Sequence, residues 1–499
     1  MPADTRSFEI TSELLRTIGR IADDAGVATY LVGGYVRDTV MGREVKDADI
    51  SVDGDGIGFA RLVHRRLNTS VPVEFEAFGT ARLIAEGMEL EFVGMRKEAY
   101  NRDSRKPRVS RGGIEDDLKR RDFTVNAMAV RLDSSGGGVI IDPLGGLHDI
   151  HERTQRTPGD PEETFSEDPL RMARACRFAA QLLFRPDEAA LEAVRRMADR
   201  IGIVSTERVR DELLKILASR KPSVGFILLH ETGLLPHVFP ELSLLAGVDQ
   251  RSIEYPDGVR NFHHKDVFFH TLKVVDNTAR VSDDLWLRLS ALLHDIAKPQ
   301  TKSFSEESGW TFHGHAEIGS RRVKKIFRAL RLPMEHMRFV EKLVALHLRP
   351  IALVNDGVTD SAIRRLLFEA GEDIDALLTL CRADITSKNP KLVQQYLRNY
   401  ENLIRKMNEV EERDRLRNWQ PPLRGDEIMA LCGIPSGIEV GLLKQKVEDA
   451  ILDGLIENRR EEAVEYLLSI KDRVLNAPSP VKPRSRRSMM ERLPERLKE

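Results

Sequence analysis

Two aspartates separated by one residue, Asp47 and Asp49, lie in the stretch LVGGYVRDTVMGREVKDADISV at residues 31–52. Ile50, Ser51 and Val52 follow, and residues i and i+2 of a strand project from one face, so both carboxylates can meet the same cations. Mg²⁺ favours one or two carboxylates together with substrate phosphate oxygens, and two-metal phosphoryl or nucleotidyl transfer needs acidic ligands on a rigid element. A polar strand edge is the plain alternative. Upstream, Gly33 and Gly34 let backbone amides approach a triphosphate that Arg37 can neutralise, although a Gly pair is also a simple turn. In MELEFVGMR, Glu89 and Glu91 share the face opposite Leu90 and Phe92, which makes Glu91 either a third acidic contact or part of a solvated face. In DLKRRDFTVNAMAV, Arg120, Arg121 and Asp122 precede an expected apolar strand and place cations at its mouth.

A second constellation is SEDPLRMARACRFAA, residues 166–180. Arg171, Arg174 and Arg177 recur every three residues and form one slanted cationic stripe of a helix, with Asp168 one turn before Arg171. The plain reading is a solvated basic face with an i,i+3 ion pair.

The elements that must carry these residues change character along the chain. A first helix is expected over 11–25, followed by the β-rich runs TYLVGG, DADISV, VPVEFEAF, TARLIAE, MELEFVGM, TVNAMAVRL and GVIIDP. From Asp168 onward apolar residues recur at three and four, so the remainder reads as nearly all helix. RTPGDPEET (156–164) marks the switch, and the Pro residues 222, 236 and 240 with QRSIEYPDGVRN mark a second boundary. The expected fold class is α+β, divided as 1–155 (mixed-sheet head), 156–240 (helical neck), 241–395, 396–475 (helical tail) and 476–499, a flexible tail with seven Lys/Arg against three Glu. A net charge of −2 with 31% charged residues excludes a globally basic coat but allows a local basic channel. Cys176, Cys381 and Cys432 show no paired spacing, and the charged N-terminus lacks an apolar core, so a cytoplasmic, non-membrane protein is expected.

The order Gly-Gly, Arg37-Asp38, Asp47-x-Asp49, then Arg-Arg-Asp-Phe-Thr-x-Asn-Ala resembles the class II tRNA nucleotidyltransferase and bacterial poly(A) polymerase family, a branch of the polymerase-β-like nucleotidyltransferases. The resemblance runs over roughly residues 25–470. It implies Mg²⁺ on Asp47 and Asp49, and nucleotide binding by Gly34, Arg37, Arg121, Arg174 and Arg177, with Gly33 beside them. The family's EDxxR template stands here as Glu167-Asp168-Pro169-Leu170-Arg171. Its logic is chemical: Asp168 accepts from an exocyclic amine and Arg171 donates to a ring nitrogen, an order that cytosine and adenine offer and uracil and guanine reverse. TERVRDELLKIL (206–217) resembles the next motif, expected to brace the template helix with Thr206 as N-cap.

In the second half, FFHTL, LLHDIAKP, FHGHAEIG, ALHLRP and CRADIT resemble in order the HD superfamily of metal-dependent phosphohydrolases. That resemblance implies one metal, either a transition ion or Mg²⁺, on His270, His294, Asp295 and Asp384, with His315 and His347 available for a second. PLRGDEIMALCGIPSGIEV resembles the tRNA-contacting tail, departing from its pattern at Pro435-Ser436-Gly437. The implied activity is addition of C, C and A to tRNA 3′ ends from CTP and ATP, with the acceptor arm as partner and no obligate protein partner. Poly(A) synthesis and CC-only or A-only addition are the near alternatives. An HD phosphohydrolase with a nucleotide-binding head, or a non-catalytic RNA-binding protein, is the alternative of another class. CC-adding members tend to shorten the flexible segment before Arg-Arg-Asp; KEAYNRDSRKPRVSRGGIEDD (97–117) reads as full length, favouring complete addition.

Overall fold

Ser12 accepts a hydrogen bond from the Leu15 amide and starts helix α1 (Glu13–Asp24), two residues inside the expected start. Leu14, Leu15, Ile18 and Ala22 of α1 pack with Phe59, Ala60 and Val63 of a later helix onto one face of a six-stranded mixed sheet. Its strands are β1 (Thr29–Val32), β2 (Asp47–Val52), β3 (Val73–Phe75), β4 (Thr80–Ala85), β5 (Met88–Gly94) and β6 (Ala129–Arg131), in the order β3-β4-β5-β2-β1-β6. Ala48, Ile50 and Val52 of β2 enter that core, so strand alternation sends Asp47, Asp49 and Ser51 to the opposite face. β2 and β5 are parallel and place Asp49 opposite Glu91, while antiparallel β1 places Val32 opposite Asp49.

The computed structural model describes residues 7–101, 104–248, 266–305, 309–355, 359–386, 390–414 and 422–476. The chain divides into two units, Met1–Ala345 and Leu346–Glu499. QRSIEYPDGVRN lies wholly outside the described residues, as does the basic tail after residue 476. Several expected elements come out differently. VPVEFEAF is strand only over Val73–Phe75, then a 3₁₀ turn, Glu76–Phe78. The segment after Arg-Arg-Asp is not strand at first: Thr124–Asn126 form a 3₁₀ turn and β6 begins at Ala129. Within 97–117, read as flexible, the backbone forms a two-stranded antiparallel hairpin (Arg96–Asn101 with Ser104–Arg111) and a short helix, Ile114–Lys119.

Helices then dominate as expected. In the first unit α2 (Pro161–Glu167) and α3 (Leu170–Leu182) are followed by α4 (Thr206–Ala218), α5 (Pro222–Glu231), α6 (Val267–Ala279), α7 (Leu285–Leu293) and α8 (His315–Ala329). Ser205, not Thr206, occupies the N-cap position of α4, and its side chain makes no capping bond. Asp266 and Asp284 cap α6 and α7 by accepting from the amides of Phe268 and Trp286, each at 2.8 Å. The second unit carries α9 (Asp360–Ala370), α10 (Ile374–Asp384), α11 (Pro390–Asp414), α12 (Gly425–Cys432), α13 (Ile438–Leu452) and α14 (Arg460–Leu475). Arg365 of α9 reaches Asp449 of α13 and Asp453, the residue that caps its C-terminus, at 3.0 and 2.9 Å. Among the described residues no helix is long and apolar enough to cross a membrane.

Candidate active site and candidate metal centre

Val32 of β1 ends the strand and Gly33 follows with φ +68°, a conformation that L side chains rarely adopt. A Cβ added at Gly33 would stand 2.8 Å from Arg121 Nη1 and 3.2 Å from Asp49 Oδ2. Gly33 is therefore the floor on which the acidic strand and the Arg-Arg-Asp motif meet. Burial raises the pKa of Asp49, and the charge of Asp47 adds to it against the pull of Arg121. Glu91 is likewise raised, first by burial and then by Asp49. Carboxylates held together at this cost suit a divalent cation, which would bind Asp47 and Asp49 with Glu91 alongside. Glu89, on the same face, is instead paired with Arg82 at 2.8 Å.

The cations around this face are fixed by acceptors, of which Asp117 and Asn126 carry no signal of their own in the sequence. Asp117 is fully buried; it accepts from Ser51 Oγ at 3.0 Å and from Arg120 Nη2 at 2.6 Å, and lies 3.2 Å from Arg121 Nη2. Burial opposes its ionisation, yet Arg121 and Arg120 outweigh that and hold its pKa below the usual value. Arg37, nearly buried, donates to Asn126 Oδ1 and forks onto Asp38. Asp122 accepts from Arg174 Nε at 2.7 Å and from Asn126 Nδ2 at 3.0 Å. Arg177 lies 2.9 Å from Glu212 of α4. Burial lowers the Arg177 pKa to about 10, with Glu212 opposing.

The arginine stripe is real and has a centre. Arg37, Arg174 and Arg177 stand 5.3, 5.4 and 4.0 Å from the ring centroid of Phe178, which itself packs edge-on against Phe123. Arg171 donates to the carbonyls of Arg120 (2.6 Å) and Thr164 (3.1 Å) and pairs with Glu167 at 2.9 Å. The i,i+3 ion pair of the plain reading is absent between Asp168 and Arg171: Asp168 precedes α3 in extended backbone and accepts from Arg208 Nη2 at 2.8 Å. The preceding-proline position explains this, because Pro169 disfavours helical geometry at residue 168.

A separate cluster closes around Asp295 in the first unit. His270, His294 and His315 bring Nε2 to 3.6, 3.2 and 3.4 Å from its carboxylate oxygens, and Lys298 Nζ lies at 2.7 Å. His294 Nδ1 and His315 Nδ1 are each anchored on a backbone carbonyl, Ala291 O at 2.8 Å and Phe312 O at 2.7 Å. A carbonyl oxygen only accepts, so Nδ1 carries a proton in both rings and Nε2 is the atom left to face Asp295. In their neutral form, imidazoles so turned would make, with the carboxylate, a cation-binding donor set. His270 and His294 offer ligand atoms within 4.8 Å of each other, as do Asp295 and His315. Burial works against the charge of Asp295, but His294 and Lys298 prevail and hold its pKa well below the carboxylate range. His347 and Asp384 belong to the second unit: His347 is buried with its carbonyl 3.0 Å from Cys381 Sγ, and Asp384 ends α10.

A mixed-sheet head with paired aspartates, an arginine-lined face and helices beyond defines the class as a nucleotidyltransferase. Residues 29–156 match the poly A polymerase head domain, 184–245 the probable RNA and SrmB-binding site of polymerase A, and 267–389 the HD domain. The chain is 32% identical over 433 residues to an A-adding tRNA nucleotidyltransferase of Deinococcus radiodurans, covering 84% of this chain and 90% of that protein. It is 31% identical over 457 residues to a CC-adding tRNA nucleotidyltransferase of Thermus thermophilus, covering 88% and 93%. The chain thus belongs to the tRNA nucleotidyltransferase family. Its fold matches the CCA-adding enzyme of Bacillus stearothermophilus in complex with CTP, with a TM-score of 0.62 at 22% identity over 93% of this chain and 99% of that one.

Proposed function

We propose that the protein adds or repairs the complete 3′-terminal CCA of tRNA from CTP and ATP. The observation that carries this reading is the direct joining of the base-reading helix to the catalytic face, through Arg174 on Asp122 and Arg171 on the Arg120 carbonyl. Selection and transfer are then parts of one rigid site. Asp47 and Asp49 would hold magnesium, with Glu91 as a further acidic contact; the ion supplies acidification of a ribose 3′-hydroxyl and neutralisation of departing pyrophosphate. Gly33 and Gly34 admit the triphosphate to the backbone, and Arg37, Arg121, Arg174 and Arg177 neutralise it. Asp168 and Arg171 select C and A, because uracil or guanine would face them donor to donor and acceptor to acceptor.

Relatives named for A-addition and for CC-addition both align along most of the chain, so product choice rests on other grounds. The segment 97–117 retains its length, and it carries the hairpin Arg96–Asn101 with Ser104–Arg111, which favours the complete activity. We also assign head, neck, HD-type, tail and basic-tail roles to 1–155, 156–240, 241–395, 396–475 and 476–499. His270, His294, Asp295 and His315, with His347 and Asp384 by family resemblance, are assigned to an HD metal site taking a transition ion or Mg²⁺.

The test uses Mg²⁺, labelled CTP or ATP, and tRNA ending before CCA, at C, or at CC. Completion of all three substrates is expected. Extension of only the CC-ended tRNA would restrict the protein to A-addition, and a long homopolymer from ATP alone would make it a poly(A) polymerase. Asp47→Ala should abolish transfer; a full rate in that variant would remove the metal assignment.

A further inference from the structure

Arg208, in the first turn of α4, is half exposed and binds Asp168 Oδ2 at 2.8 Å. Its surroundings argue against a purely bracing role. The same helix is already fixed without it: Glu207 pairs with Arg331, Arg210 donates to the Arg331 carbonyl at 2.8 Å, and Glu212 lies 2.9 Å from Arg177. Val209, Leu213, Ile216 and Leu217 bury its apolar side. Seating of α4 is therefore secured by ion pairs and packing that do not involve residue 208.

What Arg208 alone supplies is a fixed second oxygen on Asp168. The other oxygen, Oδ1, accepts from the Leu170 amide at 3.2 Å, and Pro169 restricts the backbone on which the side chain stands. With one oxygen on an amide and the other on a guanidinium, both side-chain torsions of Asp168 are set. A carboxylate accepts at about four lone-pair positions, so two such bonds leave capacity for an incoming amine. The Asp168 side chain remains 31% exposed, which leaves an open side. Arg171 is held with equal firmness by Glu167, the Thr164 carbonyl and the Arg120 carbonyl.

We infer that Arg208 is a positioning residue for base selection: it aims the Asp168 carboxylate at the exocyclic amine of CTP or ATP. This rests on the reading of Asp168 and Arg171 as the base-selecting pair. Without Arg208 the carboxylate can rotate about Oδ1, so the penalty for a base that presents a carbonyl there is relaxed.

The experiment compares wild type, Arg208→Ala, Arg208→Lys and Asp168→Asn on tRNA lacking CCA for CTP and UTP, and on tRNA ending at CC for ATP and GTP. It measures kcat/KM for CTP, ATP, UTP and GTP, together with thermal midpoint and the KM for tRNA. Arg208→Ala is expected to lower discrimination of CTP over UTP, and of ATP over GTP, about tenfold, the size of one charge-assisted hydrogen bond. Thermal midpoint and tRNA KM should stay near wild type, and Arg208→Lys should recover part of the lost discrimination. A uniform fall in rate for all four nucleotides, or a lowered thermal midpoint with unchanged discrimination, would overturn the inference and leave Arg208 as a brace. Asp168→Asn separates the two levels. If it changes selection while Arg208→Ala does not, only the role of Arg208 fails; if neither does, the base-selecting pair itself fails.

Discussion

Replacing Asp122 by Asn keeps the shape of a buried side chain and removes one charge at the junction of the head and helix α3. In the folded protein the Asp122 pKa is lowered to about 2: burial pushes it up, but Arg174, the Asn126 amide and Arg171 together outweigh that. The unfolded value is about 3.9, a gap of nearly two units, which at about 1.4 kcal/mol per unit amounts to roughly 2.5 kcal/mol. A depressed carboxylate pKa contributes stability above the unfolded value and loses it as pH falls through the folded one. The contribution should therefore be complete above about pH 5, near half at about pH 3, and absent below both values. Asn cannot reproduce the arrangement, because Oδ2 accepts from Arg174 while Oδ1 accepts from both the Phe123 amide and Asn126 Nδ2, so either amide orientation sets donor against donor.

At roughly 2 °C per kcal/mol for a large unit, Asp122→Asn should lower the thermal midpoint of the first unit by about 5 °C at pH 7. Calorimetry from pH 7 down to pH 3 is the assay, and the gap between variant and wild type should shrink by about half over the last two pH units. A midpoint within 1 °C of wild type at pH 7, or a gap constant across that range, would refute the attribution to the Asp122 charge.

Gly33→Ala should lower kcat by more than tenfold while the protein stays folded, because its methyl would contact Arg121 Nη1 and Asp49 Oδ2 at a positive φ; single-turnover transfer with saturating tRNA checks this, and a wild-type rate would refute it. His294→Ala should lose bound transition metal, read by elemental analysis, with CCA addition retained; metal retained at wild-type stoichiometry would remove His294 from the ligand set. Because burial raises the pKa values of Asp49 and Glu91, their ionised forms cost stability increasingly as pH rises past the unfolded values, and a cation relieves that cost. Mg²⁺ should accordingly raise the thermal midpoint more at pH 7 than at about pH 4, near the unfolded values, and the reverse order would place the ion elsewhere.

Strand alternation made Asp47 and Asp49 legible, since a period of two is local and the core face Ala48, Ile50, Val52 confirms the phase. The neighbour of Asp49 was not legible in the same way: the parallel register that sets Glu91 beside it joins strands about forty residues apart, and no local pattern encodes that offset. The hairpin within 97–117 escaped because KEAYN and SRKPRVSR lack an apolar alternation, so nothing distinguishes strand from flexible polar chain. The arginine stripe could be read from its spacing, but its anions could not. Asp117, Asp122 and Glu212 look like any solvated carboxylate until folding buries them against Arg120, Arg174 and Arg177.

Those hidden anions also account for how a chain of net charge −2 can take a polyanionic substrate. Three guanidinium groups around one phenyl ring repel one another, and each is steadied by its own partner: Arg37 by Asp38 and Asn126, Arg174 by Asp122, and Arg177 by its ion pair with Glu212. These partners take up only some of the five donors of each guanidinium, which leaves others for phosphate oxygens. On the proposed assignment, a triphosphate entering this site would meet cations already in place and add to their stabilisation without having to gather them. Removal of a buried anion would then raise the local positive charge and still slow transfer, because the site would lose geometry faster than it gained attraction.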